Sequence, residues 1–319
     1  MDVIRRFEDE RFYKRAIFVL LGVLVLSIVG FGAYYYFDRY YANNIPIADR
    51  EIAQVTKMVQ NDPSNLASRL TLANIYLRKG SYQDAITQFN EVLKVDDKNT
   101  GALIGLGMSL YESGKLKESA AAFQQVEEMT KDDDTAQHTA TMGSVHYYLG
   151  LIAQSQGNPQ GAEDELKKSL LANPTDADTL LALSEVAAQL GKTDEAIQGY
   201  LAALQFVPNY RQAYEGLAKA YTSAGKTTEA AYANAMVDYC KGSYDTAISQ
   251  LQAVVKAKPD FAEAFYGLGA SYDKKGDRDQ AIAAYQKAIE LQPNYEAAQA
   301  ALSRLGGEMP SNATPAAGH

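Results

Sequence analysis

Seven glycines lay a ruler along this 319-residue chain: Gly80, Gly114, Gly157, Gly191, Gly225, Gly242 and Gly276. Their successive steps are 34, 43, 34, 34, 17 and 34 residues, so one unit recurs with two irregularities. Its clearest copy is residues 262–295. Phe265, Leu268, Gly269 and Tyr272 return at three- and four-residue steps, which marks one face of a helix. Gly276 ends that helix, because glycine takes the left-handed C′ conformation without a Cβ penalty. A second apolar stripe follows in Ala281, Ile282, Tyr285, Ala288 and Ile289, and Pro293 closes it. Neither helix of this hairpin can bury its stripe alone, so the unit demands neighbours.

These spaced positions resemble the tetratricopeptide repeat (TPR) family. The family's marker positions 4, 7, 8, 11, 20, 24, 27 and 32 fall on Phe265, Leu268, Gly269, Tyr272, Ala281, Tyr285, Ala288 and Pro293, with Phe in place of the usual first Trp. Residues 66–99 carry Leu72, Ala73, Tyr76, Ala85 and Phe89 at such positions, and 100–133 carry Leu106, Gly107 and Phe123, with Ser119 where Ala is usual. Residues 143–176 offer Leu149, Gly150, Ala162 and Pro174, and 177–210 offer Leu183, Ala196, Tyr200, Ala203 and Pro208. The resemblance implies an all-α fold, a right-handed TPR α-solenoid of about six to seven helical hairpins plus capping helices. The composition after residue 50, rich in Ala, Leu, Gln, Glu and Lys, favours helix as well.

Ahead of the repeats, residues 16–37 carry no charge, and at ~1.5 Å per residue they reach across a ~30 Å hydrocarbon core. Tyr34, Tyr35, Tyr36, Phe37, Tyr40 and Tyr41 form an aromatic belt at one end, with Phe12 and Tyr13 at the other. A cleaved signal peptide fits less well: the run is longer than the usual h-region, and no clean small-x-small site follows it. The segment reads as a single transmembrane helix, an uncleaved anchor. Arg5, Arg6, Arg11, Lys14 and Arg15 precede it, against Arg39 and Arg50 just after, which places the N-terminus in the cytoplasm and the repeats outside. The expected order is a cytoplasmic tail (1–15), the transmembrane helix (16–37), a juxtamembrane linker (38–46), the TPR solenoid (47–305) and a disordered tail (306–319). Residues 47–60 read as a lone capping helix, and 296–305 as a second cap covering the far edge. Asn312-Ala313-Thr314 forms a weak glycosylation sequon.

The step of 43 adds nine residues around Asp132-Asp133-Asp134-Thr135-Ala136, expected as an acidic turn before a lengthened helix. A calcium loop would need acidic spacing with a glycine and a distal Glu, which are missing. The step of 17 is half a repeat. Residues 228–240 must then partner both 211–224 and 243–257, so one helix is shared or missing near 227–242.

Reagents for chemistry are few. Gly191-Lys192-Thr193 and Gly225-Lys226-Thr227 mimic the end of a phosphate loop, but Val186 and Ala220 stand where its earlier glycine belongs. His138 and His146 lie eight residues apart, two turns of one expected helix and too far for an i,i+4 metal pair. No catalytic residues, metal or cofactor are expected, and the chain is not read as an enzyme. Cys240, the single cysteine, reads as a small apolar residue near a helix end. A net charge of −9, with no Trp and no basic cluster, argues against nucleic acid.

What the resemblance implies instead is a protein or peptide partner in a concave groove, lined by positions 2, 5, 9, 12 and 13 of the first helices. The apolar candidates are Leu70, Leu77, Ile104, Met108, Tyr111, Tyr147 and Leu151, with Asn74 beside them. Residues 262–295 put Glu263, Tyr266, Ala270, Asp273 and Lys274 there and read as structural. A chaperone carboxylate clamp lacks its basic set, since Asn74 and Arg78 stand nearly alone and later grooves carry Asp178, Glu185, Glu215, Glu229 and Glu263. The expected function is a membrane-anchored scaffold, an envelope assembly or maturation factor on a bacterial cell membrane. The alternative is an import-receptor or co-chaperone type facing the cytosol from an organelle membrane.

Overall fold

The computed structural model describes residues 47–133, 135 and 139–313. The anticipated transmembrane helix 16–37, its flanks 1–15 and 38–46, His138 and residues 314–319 lie outside that range. Among the described residues no helix is long and apolar enough to cross a membrane.

Fifteen α-helices and no strands make up the described residues. They are α1 (Ile47–Asn61), α2 (Leu66–Lys79), α3 (Tyr82–Leu93), α4 (Thr100–Glu112) and α5 (Leu116–Thr130). Then come α6 (Ala140–Ser155), α7 (Pro159–Ala172), α8 (Ala177–Gln189), α9 (Thr193–Phe206) and α10 (Arg211–Ser223). The last five are α11 (Thr227–Cys240), α12 (Tyr244–Ala257), α13 (Ala262–Lys275), α14 (Arg278–Leu291) and α15 (Glu296–Arg304). All seven ruler glycines sit at positive φ, at the turn inside each hairpin. At Gly276 the turn is a Schellman closure: its N–H donates to the Asp273 carbonyl at 3.0 Å, and the Asp277 N–H to that of Tyr272 at 2.9 Å. The turns between hairpins use side chains instead. Asn65, Asn99 and Asp176 each accept from the backbone three residues on, at 2.9–3.0 Å, and satisfy an orphan donor at a helix start.

The chain divides into two compact units, residues up to Ser109 and from Leu110 onward. In the first, α1 packs on α2 and α2 on α3. Asp49 and Glu51 of α1 pair with Lys79 and Arg78 of α2. Ala73, Ala85, Phe89, Val92 and Ala102 form its buried cluster. The Phe89 ring lies where a Cβ on Gly105 would come within 2.1 Å. That glycine lets the helix approach an aromatic ring face.

In the second unit each helix from α5 onward packs on the next, and α6 also touches α8, α8 touches α10 and α11 touches α13. These last contacts join first helices of neighbouring hairpins. The half-repeat now has a physical account: no helix is missing, and α11 is shared. It packs against both α10 and α12, and its touch on α13 is the one a first helix makes. Tyr232 meets Tyr214 of α10 at 6.3 Å and Phe261 at the head of α13 at 5.0 Å. Ala230, Ala233, Ala235, Met236, Val237 and Tyr239 are buried over most of its circumference, which leaves only a narrow exposed strip at Thr227, Ala231 and Asn234. The insertion ends with Thr139, whose hydroxyl caps α6 by accepting from the Met142 N–H at 3.3 Å.

Residues 306–313 of the anticipated disordered tail make contacts with α14 and its neighbours. The Gln286 side chain donates to the Glu308 carbonyl at 2.8 Å, and Asn312 donates to that of Glu290 at 3.0 Å. Ala313 then packs beside the cluster of Tyr285, Ile289, Ala298 and Leu302. Small and polar residues pointed to disorder, but the Gln286 side chain and the Glu290 carbonyl of α14 give the segment partners.

Candidate functional site

The groove candidates fall in both units. Leu70, Asn74, Leu77, Ile104 and Met108 are half-buried in the first, and Leu70 and Leu77 lean on its core cluster. Tyr111, Tyr147 and Leu151 are half-buried in the second, where Tyr147 and Leu151 pack against Ala162, Leu166, Ala182 and Val186. Tyr111 and Tyr147 meet through Tyr148. Each ring stands edge-on to it, at 5.3 and 5.4 Å, while Phe123 stacks on it at 5.3 Å. Tyr148 was not among the expected residues, because it falls between groove positions.

The second unit opens two clefts on the faces of its first helices. One of about 600 Å³ is lined by Tyr266, Ala270, Asp273 and Lys274 of α13, Tyr239 of α11 and Arg304 of α15. Four of the five groove positions of residues 262–295 thus line a cavity. That repeat, expected to be structural, lacks an apolar strip but offers an aromatic cleft with charged walls. Arg304 pairs with Asp273, and Tyr266 packs its ring between those of Tyr285 and Tyr295, at 5.7 and 5.2 Å. Burial raises the hydroxyl pKa of Tyr239 to about 12 and that of Tyr266 above its usual value, so both remain neutral donors.

The other cleft, about 380 Å³, is lined by Glu185 and Gln189 of α8 and Gln212, Glu215, Lys219 and Ser223 of α10. Burial pushes the Glu185 carboxyl up, against the pull of Lys219. At the head of α10, Tyr210 donates to the Asp178 carboxylate of α8, a tie that spans one repeat. Cys240 borders the larger cleft through Asn209, whose carbonyl lies 3.5 Å from its sulfur. Burial raises that thiol to about 11, so it is a poor nucleophile.

Away from both clefts, Lys192 of the apparent phosphate-loop triplet pairs with Glu163, which has no part in phosphate recognition. His146, set aside when only His138 was weighed as its partner, is buried to 2% exposure with Nδ1 2.8 Å from the Glu165 carboxylate. Lys168 reaches both Glu165 and Glu127, at 2.9 and 3.3 Å. Burial works to raise the Glu165 carboxyl, but hydrogen bonds from His146 and Lys168 outweigh it and hold it low. The donor atoms of Glu127, His146 and Glu165 all lie within 4.8 Å of one another.

Stacked hairpins with clefts along their first helices define a helical-repeat protein. Tetratricopeptide repeat profiles match residues 38–99, 70–134 and 147–211, and others of the family match 237–276 and 262–295. These cover more than half of the chain, which belongs to the tetratricopeptide repeat family. It is 27% identical over 168 residues to a TPR repeat-containing protein of Methanocaldococcus jannaschii, covering 42% of this chain and 30% of that one. It is 26% identical over 211 residues to DnaJ homolog subfamily C member 3 of Gallus gallus, covering 66% of this chain and 39% of the relative. The chain thus spans 30% and 39% of the length of these two curated relatives. Among solved structures, a crystal structure of MamA protein matches 60% of this chain and 95% of its own at 21% identity, with a TM-score of 0.44.

Proposed function

We propose that this protein is a membrane-anchored TPR scaffold that holds a protein or peptide partner against its first-helix face. The observation that carries the reading is the cleft of about 600 Å³ built from family groove positions on α13. Rigid aromatic walls with a few polar groups at the rim suit a peptide segment, because the rings give contact area at little entropic cost. Leu70, Leu77, Ile104 and Met108 in the first unit, and Tyr111, Tyr147 and Leu151 in the second, offer half-buried side chains at the corresponding family positions. Tyr111→Glu with Leu151→Glu, and separately Lys274→Glu, are expected to abolish capture of the natural partner while circular dichroism stays helical. Unchanged capture by both variants would remove the groove reading.

The anchor rests on sequence: an uncharged segment at 16–37, flanked by arginines before it and tyrosines after it. With the basic flank inside, the repeats face outward, in keeping with an envelope assembly or maturation factor. The cytosol-facing co-chaperone alternative is separated by thiol labelling in intact cells. The half-buried Cys240 is a weak target, so Lys117→Cys, at an exposed position, serves in a Cys240→Ser background. Labelling by an impermeant reagent before lysis is expected. Labelling only after lysis would sink the outward orientation.

A further inference from the structure

We propose that Glu127, His146 and Glu165 form a site for a borderline divalent cation of the Zn²⁺ class, which staples α5, α6 and α7 together. The first argument is position. His146 occupies marker position 4 of its repeat, where Leu103, Leu180, Tyr214 and Phe265 place an apolar side chain in other copies and Arg69 stands in the first. A polar imidazole at 2% exposure has no packing advantage there, and burying it costs free energy unless a partner satisfies it. The ring is aimed into a cluster built from three helices: Glu127 from the last turn of α5, His146 from α6 and Glu165 from α7.

The second argument is geometry and charge. One imidazole nitrogen and two carboxylate oxygens converge within 4.8 Å, close enough for small rotamer shifts to bring them onto one ion. Three protein ligands with an open fourth position is a common Zn²⁺ arrangement. An imidazole ligand disfavours Ca²⁺ and Mg²⁺, and the absence of sulfur disfavours Cu⁺. Two carboxylates face a single ammonium, Lys168, and once that ammonium moves away their two negative charges match one divalent ion. Lys168 is 45% exposed and can swing into water as the ion enters. Nδ1 then gives its lone pair to the metal, and the single proton of the neutral ring sits on Nε2.

The consequence is local. The nine-residue insertion lies between Glu127 and His146, so the ion would tie α5 to α6 where the array breaks its period. Lys168 acts as a latch that holds the carboxylates together without metal and competes with it.

The test uses the full chain in detergent, stripped of metal with a chelator and titrated with Zn²⁺ against a chromogenic chelator at neutral pH. One Zn²⁺ per chain is expected in the micromolar range, with His146→Asn and Glu165→Gln each weakening binding at least about tenfold. Lys168→Met is expected to tighten it, since the competitor is gone, and hydrogen exchange in the last turn of α5 should slow when the ion is bound. His146 is buried and its replacement could unsettle the core, so the half-exposed Lys168 provides the independent arm. Failure of both the parent chain and Lys168→Met to take up Zn²⁺ stoichiometrically would overturn the proposal. So would uptake that His146→Asn and Glu165→Gln leave unchanged.

Discussion

Lys192 sets its ammonium against both carboxylate oxygens of Glu163, at 2.6 and 2.8 Å, and so ties the turn between α8 and α9 to α7. Lys167 adds a third contact at 2.6 Å, and the carboxylate itself is 1% exposed. Hydrogen bonds from Lys167 and then Lys192 outweigh its burial and hold the Glu163 carboxyl at about 2, down from 4.5. A carboxyl depressed in the folded state adds stability above its unfolded pKa and loses it as pH falls through the folded one. Glu163→Gln is therefore expected to lower stability at pH 7 by about 1–3 kcal/mol. Its deficit against the parent chain should close as pH falls from 4.5 towards 2. Denaturant titrations across that range check both parts; a deficit that does not change with pH would contradict the assignment.

Aromatic residues at marker position 24 set a second requirement. A Cβ on Gly216 would stand 2.3 Å from the Tyr200 ring, and one on Gly269 would stand 2.6 Å from that of Tyr285. Gly216→Ala and Gly269→Ala are each expected to cost about 1–3 kcal/mol by overpacking. Ala281→Leu, at a fully buried site in the same hairpin as Tyr285, should cost a similar ~1–3 kcal/mol. Thermal melts measure all three, and an undisturbed curve would refute the corresponding contact.

The shared helix makes a prediction that a one-faced helix would not. Ala233 and Ala235 of α11 are both fully buried, although they point roughly 200° apart around the helix. Ala233→Leu and Ala235→Leu should each destabilise by about 1–3 kcal/mol. Were α11 an ordinary second helix, one of the two would be nearly silent in the same melts.

How far the sequence carried this account depends on how local each feature is. The glycine ruler placed every hairpin turn, because a left-handed residue at a helix end is a local requirement. It also exposed the half-repeat, but periodicity could not choose between a shared and a missing helix. α11 buries Ala233, Ala235 and Val237 as well as the stripe of Tyr232, Met236 and Tyr239, and a helix buried over most of its circumference shows no single narrow stripe to count. The position rule of the family named Tyr266, Ala270, Asp273 and Lys274, but apolar content diverted attention to the earlier repeats. A cleft depends on neighbours: Tyr239 and Arg304, which line this one, come from α11 and α15. The group around His146 was illegible for the same reason, since its partners lie nineteen residues away on either side, on other helices.

The central claim is that a partner docks on the first-helix face, and site-specific photo-crosslinking in living cells tests it most directly. A photoreactive side chain is placed at Lys274, on the wall of the α13 cleft, at Tyr111, or at the exposed Lys287 on α14 as the opposite-face control. A shared adduct of one mass from positions 274 and 111, absent from 287, is the predicted result. Adducts from 287 alone, or equally from all three, would contradict it.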